Sequence, residues 1–317
     1  MEGRVALIAF GGNALLRPED RGTQEEQIAR ARQAARWLAE IVRRGFRLVI
    51  VHGNGPQVGN ILIQAEEAST KIPPQSLDVA VAQTEGSMGF LLQQAMRNRL
   101  EAIGVDALVT TVLTEVEVDP NDVAFRRPTK PIGPFFTRYR AEALARDYGW
   151  TVREDAGRGW RKVVPSPRPR RILGLESIAA ALERSTVVIA AGGGGIPVVR
   201  GRDGQWRGVE AVIDKDRASA LLGAELGVDL FIILTGVPQV AIGFGTPGER
   251  SVDTMSPEQA ERWLAAGEFP AGSMGPKIEA AVDFVRRTGR DVVITDVEHV
   301  RDALEGKAGT RIGSRAS

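Results

Sequence analysis

Short apolar runs alternate with longer amphipathic stretches along most of the chain. The apolar runs are typical of strands, and the stretches between them repeat their apolar residues at helical spacing. This alternation predicts an α/β protein with a largely parallel sheet that is covered by helices. The predicted strands are residues 4–9, 47–51, 105–111, 186–191, 230–234 and 291–295.

Residues with strong positional preferences mark several helix ends. Thr23, followed by Glu26, fits a capping box at the start of the first helix, and Gly45 stands where a left-handed residue would end it. The dipeptides at 256–257 and 275–276 indicate two later helix starts, because proline is tolerated at the first helical position.

The pattern changes between Asp119 and about Pro169, where proline and arginine become frequent. The Gly-rich turn in "EDAGRGWRK" predicts a β-hairpin here rather than another βα unit, and we interpret the segment as a lid or subdomain. A second hairpin is predicted around Asp203 and Gly204, a turn dipeptide between two strand-like runs.

Length, charge and aromatic content narrow the functional classes. A chain of 317 residues with 43% hydrophobic content can bury one large core or two fused ones. Its net charge is +1 with acids and bases interspersed, and 5% of its residues are aromatic. A nucleic-acid-binding surface is therefore not expected.

Membrane and extracellular classes are also disfavoured. The longest largely apolar stretch, residues 187–199, is interrupted by four glycines and is shorter than the ~20 residues of a membrane span. The first apolar run predicts a strand, and we expect no signal peptide. Without cysteine the chain has no disulfide, thiolate nucleophile or cysteine zinc site, and we expect a cytoplasmic protein.

Glycine-rich loops follow three of the predicted strands, with the sequences "GGNAL", "HGNGPQVG" and "GGGGIP". Ligands of open α/β folds bind at the carboxyl edge of the sheet. Glycine lets backbone N–H groups converge on an anion, and a following helix N-terminus adds partial positive charge. The predicted ligand is an anion that carries phosphate; for any single loop, the alternative is a purely steric need for glycine.

Other nucleotide and hydrolase motifs do not fit. No GxxxxGK[ST] sequence occurs, which excludes a P-loop. A GxGxxG sequence occurs at residues 243–248, but it contains Pro247 and no helical pattern follows it directly. With two histidines and no G-x-S-x-G, a Ser-His-Asp hydrolase is not expected. His52 could donate to a phosphate or bond a backbone carbonyl, and we favour the backbone role.

Lysine is scarce, with 6 lysines among the 41 lysines and arginines. Three of them stand in distinctive sequences: Lys130 in "PTKPIGP", Lys215 in "IDKD" and Lys277 in "GSMGPK". Lysine is a compact point charge on a flexible stem, which suits the neutralisation of a phosphoryl group during transfer. We therefore predict a phosphotransferase; the alternative is that each lysine is a solvated charge at a helix end.

Two aspartates flank Lys215. Lys215 and Lys277 lie near the starts of predicted helices at 216–226 and 276–288, so both could point toward the glycine loops. Asp214 and Asp216 could orient these lysines, or help to hold Mg²⁺ on a nucleotide directly or through water. A carboxylate acceptor would need no general base, because its oxygen is already ionised at neutral pH.

These motifs, in this order, resemble the carbamate kinase family of the amino-acid kinase superfamily. The matching stretches extend over nearly the whole chain and include "VHGNGPQVGN", "DPNDVAFRRPTKPIGPFF", "AAGGGGIPVV", "GVEAVIDKDRASALL" and "GSMGPKIEAAVDFV". The resemblance implies a homodimeric, three-layer αβα protein with one domain over residues 1–317. Its N-terminal lobe (1–184) would bind carbamate and contain the lid (119–169), and its C-terminal lobe (185–317) would bind nucleotide.

The resemblance also implies a reaction, the reversible Mg²⁺-dependent transfer of phosphate from ATP to carbamate, which gives ADP and carbamoyl phosphate. Lys215 and Lys277 would flank the transferred group, Asp216 would hold them in register, and Lys130 would reach in from the lid. Mg²⁺ would be held mainly by the nucleotide phosphates. The implied carbamate- and phosphate-binding residues are Gly11, Gly12, Asn13, Gly53, Asn54 and Gly55; the implied nucleotide-binding residues are Asp214, Lys215, Thr235, Gly236, Val237, Met274, Gly275 and Lys277.

One segment departs from the family pattern. Many members carry glutamine at the position of Glu85 and tyrosine at that of Phe90, and we expect residues 82–90 to border the substrate loop or the dimer interface. Two other functions stay open. The same fold could phosphorylate a larger acceptor, such as glutamate, acetylglutamate or a phosphate ester, or the protein could be a non-catalytic sensor of nucleotide or a small anion.

Overall fold

The computed structural model describes residues 3–11, 20, 22–155, 159–270 and 272–313. Its strands are β1 (Arg4–Phe10), β2 (Phe46–His52), β3 (Val109–Val112), β4 (Glu115–Val118), β5 (Lys130–Phe136), β6 (Val152–Glu154), β7 (Trp160–Val164), β8 (Pro169–Ile172), β9 (Val187–Ala190), β10 (Ile196–Arg200), β11 (Trp206–Gly208), β12 (Leu230–Leu234), β13 (Val240–Ile242), β14 (Arg250–Val252), β15 (Thr254–Met255), β16 (Val292–Thr295) and β17 (Thr310–Ile312). Its α-helices are α1 (Gln24–Arg43), α2 (Gly55–Glu67), α3 (Leu77–Ala102), α4 (Arg138–Tyr148), α5 (Leu175–Arg184), α6 (Lys215–Leu226), α7 (Pro257–Ala265), α8 (Met274–Thr288) and α9 (Val300–Leu304).

The central sheet has eight strands in the order β15-β17-β16-β12-β1-β2-β9-β3. Every pairing in it is parallel except that of β16 with β17. All six predicted strands belong to this sheet, which confirms the α/β prediction. The strand predicted at 105–111 begins later, at Val109, because Val105 still belongs to the end of α3. Gly104 there has a φ of +72° and Val105 N–H donates to Leu100 O, which is a Schellman ending.

Each face of the sheet supports its own hydrophobic core, which gives the three layers. Side chains alternate along a strand, so Val5, Leu7 and Ala9 of β1 enter one core, and Ala6 and Ile8 enter the other. Helices α5, α6, α7 and α8 cover the first face, and α1, α3 and α9 cover the second. The fold is the predicted largely parallel αβα sandwich.

Smaller sheets extend from the main one. The order β11-β10-β4-β8 forms one, and β10 and β11 are the hairpin predicted around Asp203 and Gly204. Between β4 and β8, the chain forms a three-stranded sheet in the order β5-β7-β6, together with α4. The antiparallel pairing of β6 with β7 confirms the predicted hairpin in this segment, which we call the lid.

Helix ends follow the sequence closely. Thr23 and Glu26 form the predicted capping box, and Gly45 adopts a φ of +82° after α1. Ser256 caps α7 with Pro257 in the first turn. Helix α8 begins at Met274, two residues earlier than predicted, because proline is also tolerated deeper in the first turn, where N–H groups have no helical acceptor. Within the described residues, no helix is long and apolar enough to cross a membrane.

Candidate active site

The carboxyl ends of β1, β2 and β9 meet at one edge of the sheet, as the glycine-rich loops predicted. Gly11 follows β1 and Gly53 follows β2, and Gly53 N–H donates to Phe10 O at 2.8 Å. Gly11, Gly53, Asn54 and Gly55 line a cleft of about 1120 Å³. Gly12 and Asn13, which are also predicted to bind substrate, lie outside the described residues.

Two lysines from different helices meet on a single carboxylate in this cleft. Lys215 Nζ lies 2.5 Å from Asp216 Oδ1, and Lys277 Nζ lies 3.1 Å from Asp216 Oδ2. Lys215 and Asp216 begin α6, whereas Lys277 is in the first turn of α8, and α6 packs against α8. Asp216 is 2% exposed. The structure therefore brings together the predicted lysine pair and the aspartate predicted to hold it.

Asp214 connects this cluster to the lid. Its Oδ1 accepts the N–H groups of Asp216 at 3.0 Å and Arg217 at 3.4 Å, which caps the start of α6. Its Oδ2 lies 2.5 Å from Nζ of Lys130, the first residue of β5 in the lid. Lys130 thus reaches the cleft from the lid, and both oxygens of Asp214 have protein partners.

Burial and mutual charge set the protonation of the cluster. Burial raises the pKa of Asp216, but the charges of Lys215 and Lys277 outweigh it and leave that pKa below its usual value. Burial lowers the pKa of Lys215, and the nearby Lys277 lowers it further against the pull of Asp216. Burial acts in the same direction on Lys277, but Asp216 and Asp214 leave its pKa raised. Both lysines share the carboxylate of Asp216. Lys215 is the more buried of the two, and its charged form is the less stabilised.

The net charge of this cluster of three lysines and two aspartates favours an anionic ligand. Burial also opposes ionisation of Asp214, yet Lys130, Lys215 and Lys277 hold its pKa well below the usual range. With both aspartates ionised, three ammonium groups face two carboxylates and leave one positive charge in excess. An anion bound between the lysines would complete their neutralisation and raise the pKa of Lys215 again.

The four glycines after β9 meet a steric need, the alternative that the sequence left open for each glycine loop. A Cβ at Gly192 would lie 2.3 Å from Nε2 of His52, and one at Gly193 would lie 2.2 Å from Nδ2 of Asn54. Of these glycines, Gly193 lines the cleft. His52 is buried, which lowers its pKa to about 4, and its Nδ1 contacts Gly53 O at 3.1 Å, the predicted backbone role.

The same cleft also contains most of the residues predicted to bind nucleotide. Thr235, Gly236, Val237 and Met274 line it beside Lys277, whereas Gly275 is buried in the first turn of α8 and does not. Sequence reasoning missed several other lining residues: Trp37, Arg161, Phe244, Asp296 and Glu298. Arg161 lies in the conspicuous sequence "GWRK" and Phe244 in the GxGxxG sequence at 243–248, but no signal pointed to Trp37.

The donor set at this site suits Mg²⁺ that arrives with a nucleotide. No group of three or more His, Cys, Asp or Glu side chains in the described part of the chain could hold a metal ion alone. Asp214 and Asp216 each already bind lysine, so either would contribute to Mg²⁺ through water rather than as part of a protein cage.

Comparison with known proteins places this site in a family. A model of the amino acid kinase family matches residues 4–296. A carbamate kinase of Pyrococcus furiosus is 46% identical over 312 residues, which cover 98% of this chain and 99% of that protein. Carbamate kinase 2 of Enterococcus faecalis is 45% identical over 311 residues, 98% of each chain. A solved structure of carbamate kinase from Giardia lamblia bound to AMP-PNP has a TM-score of 0.90 at 40% identity, covering 98% of this chain and 99% of that one. The chain therefore belongs to the amino acid kinase family and, within it, to the carbamate kinases.

Proposed function

We propose that this protein transfers a phosphoryl group reversibly between ATP and carbamate, giving ADP and carbamoyl phosphate. The observation that carries the proposal is the pair of ammonium groups, from Lys215 and Lys277, held on Asp216 in one cleft with the glycine loops. The named activity of the relatives supports the same reaction, as does AMP-PNP bound to the Giardia lamblia protein.

Charge neutralisation is the main contribution of the protein to this chemistry. Two anions about 4 Å apart repel by roughly 4 kcal/mol at an effective dielectric constant of 20, so acceptor and phosphate need cations between them. Lys215 and Lys277 supply these cations, and Asp216 fixes where they stand. Because the transferred group carries its charge on its equatorial oxygens, cations held in advance stabilise the transition state without further reorganisation.

The bonding changes need no general base. An oxygen of the carbamate, already ionised at neutral pH, forms the new bond to the γ-phosphorus of ATP, and the bond from that phosphorus to the β-phosphate oxygen breaks. ADP leaves with the electron pair, and the reverse reaction uses the same groups. Gly11, Gly53, Asn54 and Gly55 would bind the acceptor and phosphate, and Thr235 through Val237 with Met274 would bind the nucleotide.

Mg²⁺ and the lid complete the proposed site. Bound to the nucleotide phosphates, Mg²⁺ neutralises part of their negative charge. Lys130 comes from the lid, and we propose that it exchanges its contact with Asp214 for one with carbamate or its phosphorylated product.

The function is tested by supplying purified protein with ADP, carbamoyl phosphate and Mg²⁺ and measuring ATP. We expect ATP formation that Lys215→Ala abolishes. In the opposite direction, carbamate is compared with glutamate and acetylglutamate as acceptors in the same preparation. An inactive wild type, or a preference for a larger acceptor, contradicts the proposal; nucleotide binding by calorimetry without turnover would indicate a sensor.

Assembly and location also belong to the proposal. We propose that the chain forms a homodimer through the edge of the sheet at β3. Phe90 on α3 is 58% exposed, and Leu108 and Leu113, which flank β3, are 63% and 59% exposed. Exposed apolar groups beside an edge strand are typical of an interface. The cytoplasmic location stays a prediction that cell fractionation tests.

A further inference from the structure

One turn of α3 lies behind two loops of the active site, the second-strand loop (residues 53–55) and the four-glycine loop (residues 192–195). Thr84 and Glu85 are adjacent on this turn and are 0% and 2% exposed. Buried polar groups are unfavourable unless they form hydrogen bonds, and the bonds of this pair lead to both loops. We propose that Thr84 and Glu85 are positioning residues, which hold the two loops in the geometry that binds the phosphorylated acceptor.

Thr84 orients the side chain of Asn54. Its hydroxyl donates to Val81 O at 2.6 Å within the helix, so it faces Asn54 as an acceptor. Asn54 Nδ2 donates to Thr84 Oγ1 at 2.9 Å, which fixes the end of the amide that faces α3. Because Asn54 lines the cleft, the orientation of its amide decides whether a donor or an acceptor is presented to a ligand.

Glu85 holds the four-glycine loop through Thr114. Glu85 Oε2 accepts the N–H of Thr114 at 2.8 Å. Thr114 in turn holds both ends of the loop, since its Oγ1 accepts the N–H of Ala191 at 2.9 Å and its carbonyl accepts the N–H of Ile196 at 2.8 Å. Ala191 needs this support, because its φ of +49° lies in the left-handed region, which is unfavourable for a residue with a Cβ.

These two hydrogen-bonded arms, one from Thr84 to Asn54 and the other from Glu85 through Thr114 to the four-glycine loop, meet at the cleft. Gly193 of the four-glycine loop packs so closely on Asn54 that a Cβ there would lie 2.4 Å from Cγ of Asn54. Asn54 is therefore held between the hydroxyl of Thr84 on one side and a loop anchored by Glu85 on the other. A shift in either arm displaces the same amide.

Glu85 needs no negative charge for this role. Its Oε1 has no hydrogen-bond partner among the described residues, and burial raises its pKa well above the usual value, an effect that the Thr114 N–H offsets only in part. Accepting one N–H needs a carbonyl oxygen rather than a charge. Glutamine should therefore replace Glu85 without loss, whereas a side chain of similar size with no oxygen should not.

The first experiment measures the KM for carbamoyl phosphate and the KM for ADP separately. This experiment rests on the proposed function. We expect Thr84→Val and Glu85→Leu to raise the KM for carbamoyl phosphate about tenfold, the effect of losing one buried hydrogen bond. The KM for ADP should stay within about twofold, because none of these hydrogen bonds goes to residues 235–237 or to Met274. Thr84→Ser and Glu85→Gln should behave as the wild type.

Thr111→Val is the matched control. It also removes a threonine hydroxyl next to α3, but that hydroxyl donates to Gln93 at 2.8 Å and has no link to either loop. An unchanged KM for carbamoyl phosphate in Thr84→Val, an equal rise of both KM values, or an effect of Thr111→Val as large as that of Thr84→Val would overturn the proposal. So would a Glu85→Gln variant as impaired as Glu85→Leu.

Amide hydrogen exchange tests whether the two loops are held in place, and it does not depend on catalytic activity. Relative to the wild type, peptides covering residues 53–56 should exchange faster in Thr84→Val, and those covering 191–196 should exchange faster in Glu85→Leu, whereas Thr111→Val should change neither. Unchanged exchange in both loops overturns the proposal even if the enzyme is active. A wild type that makes no ATP contradicts only the function, and Thr84→Val, which keeps its shape, serves if Glu85→Leu fails to fold.

Discussion

At the scale of single residues, Asp216 holds the charge balance of the site. It is the only carboxylate among the described residues that pairs with both Lys215 and Lys277, and it does so while buried. Removing one partner from a buried ionic cluster leaves uncompensated charge, which is strongly unfavourable. Asp216 therefore determines whether the two lysines, which we propose to neutralise phosphate, can stand side by side.

Asp216→Asn should reduce kcat by at least about 100-fold, because the two lysines then repel and the pKa of Lys215 falls further. Steady-state measurement of ATP formation tests this expectation. Asp283→Asn is the control, since its pair with Arg287 is about half exposed on both sides and contributes little. A kcat for Asp216→Asn close to that of the control would refute the role of Asp216.

Glu85→Gln should change how stability depends on pH. The pKa of Glu85 is raised in the folded protein above its ordinary value of 4.5, so between those two pKa values the folded state binds the extra proton. Stability of the wild type then falls as pH rises from about 4.5 toward the folded pKa, by up to about 1.4 kcal/mol per pH unit. Glutamine does not titrate, so the free energy of unfolding of Glu85→Gln relative to that of the wild type should increase with pH in urea unfolding. A difference that stays constant with pH would contradict the raised pKa of Glu85.

At the scale of elements, the contact between α2 and β5 sets where the lid meets the body. Gly59 of α2 and Gly133 of β5 approach so closely that a Cβ at Gly59 would lie 1.9 Å from Cα of Gly133. Backbone atoms cannot move aside as flexible side chains can. Since β5 begins at Lys130, the spacing of these two elements also sets the position of that ammonium group.

Gly59→Ala should therefore destabilise the protein by about 2 kcal/mol and raise the KM for carbamoyl phosphate, because β5 has to move away from α2. Urea unfolding and steady-state kinetics test the two effects. Gly86→Ala is the control, because a Cβ at Gly86 meets no atom of the described residues within 4 Å and alanine favours a helix. Equal stability of the two variants would show that the close approach is not a constraint.

At the scale of the whole molecule, the sheet ends at β3, and the apolar side chains near this edge have no partner within the described part of the chain to cover them. Gly89 of α3 packs on Thr111 of β3, which places Phe90 beside the edge strand. The position of Phe90 on the surface is thus a consequence of how α3 lies on the sheet, and it is the basis of the proposed dimer.

Light scattering after size exclusion should give a mass twice the 34.1 kDa of one chain. Phe90→Asp should shift this mass toward that of the monomer, because a charge buried in an apolar interface is unfavourable. Tyr139→Asp, on the lid at 84% exposure, should leave the mass unchanged. A monomeric wild type, or a Phe90→Asp variant that stays dimeric, would refute this interface.

Local sequence patterns are sufficient to predict the fold class, most strand positions and the lysines of the site. Hydrophobic periodicity and capping preferences are local properties, so they predicted the parallel strands, the start of α1 and the glycine loops at strand ends. The scarcity of lysine and the motif order directed attention to Lys130, Lys215 and Lys277. The partners of these lysines depend on the folded chain, because Asp214 is 84 positions from Lys130 and Asp216 is 61 from Lys277. The tertiary structure also brings Gly192 against His52 and Gly193 against Asn54, and it links Thr84 and Glu85 to both loops by hydrogen bonds. Contacts of this kind depend on the register of strands and on the packing of helices far apart in the chain, which no local pattern encodes.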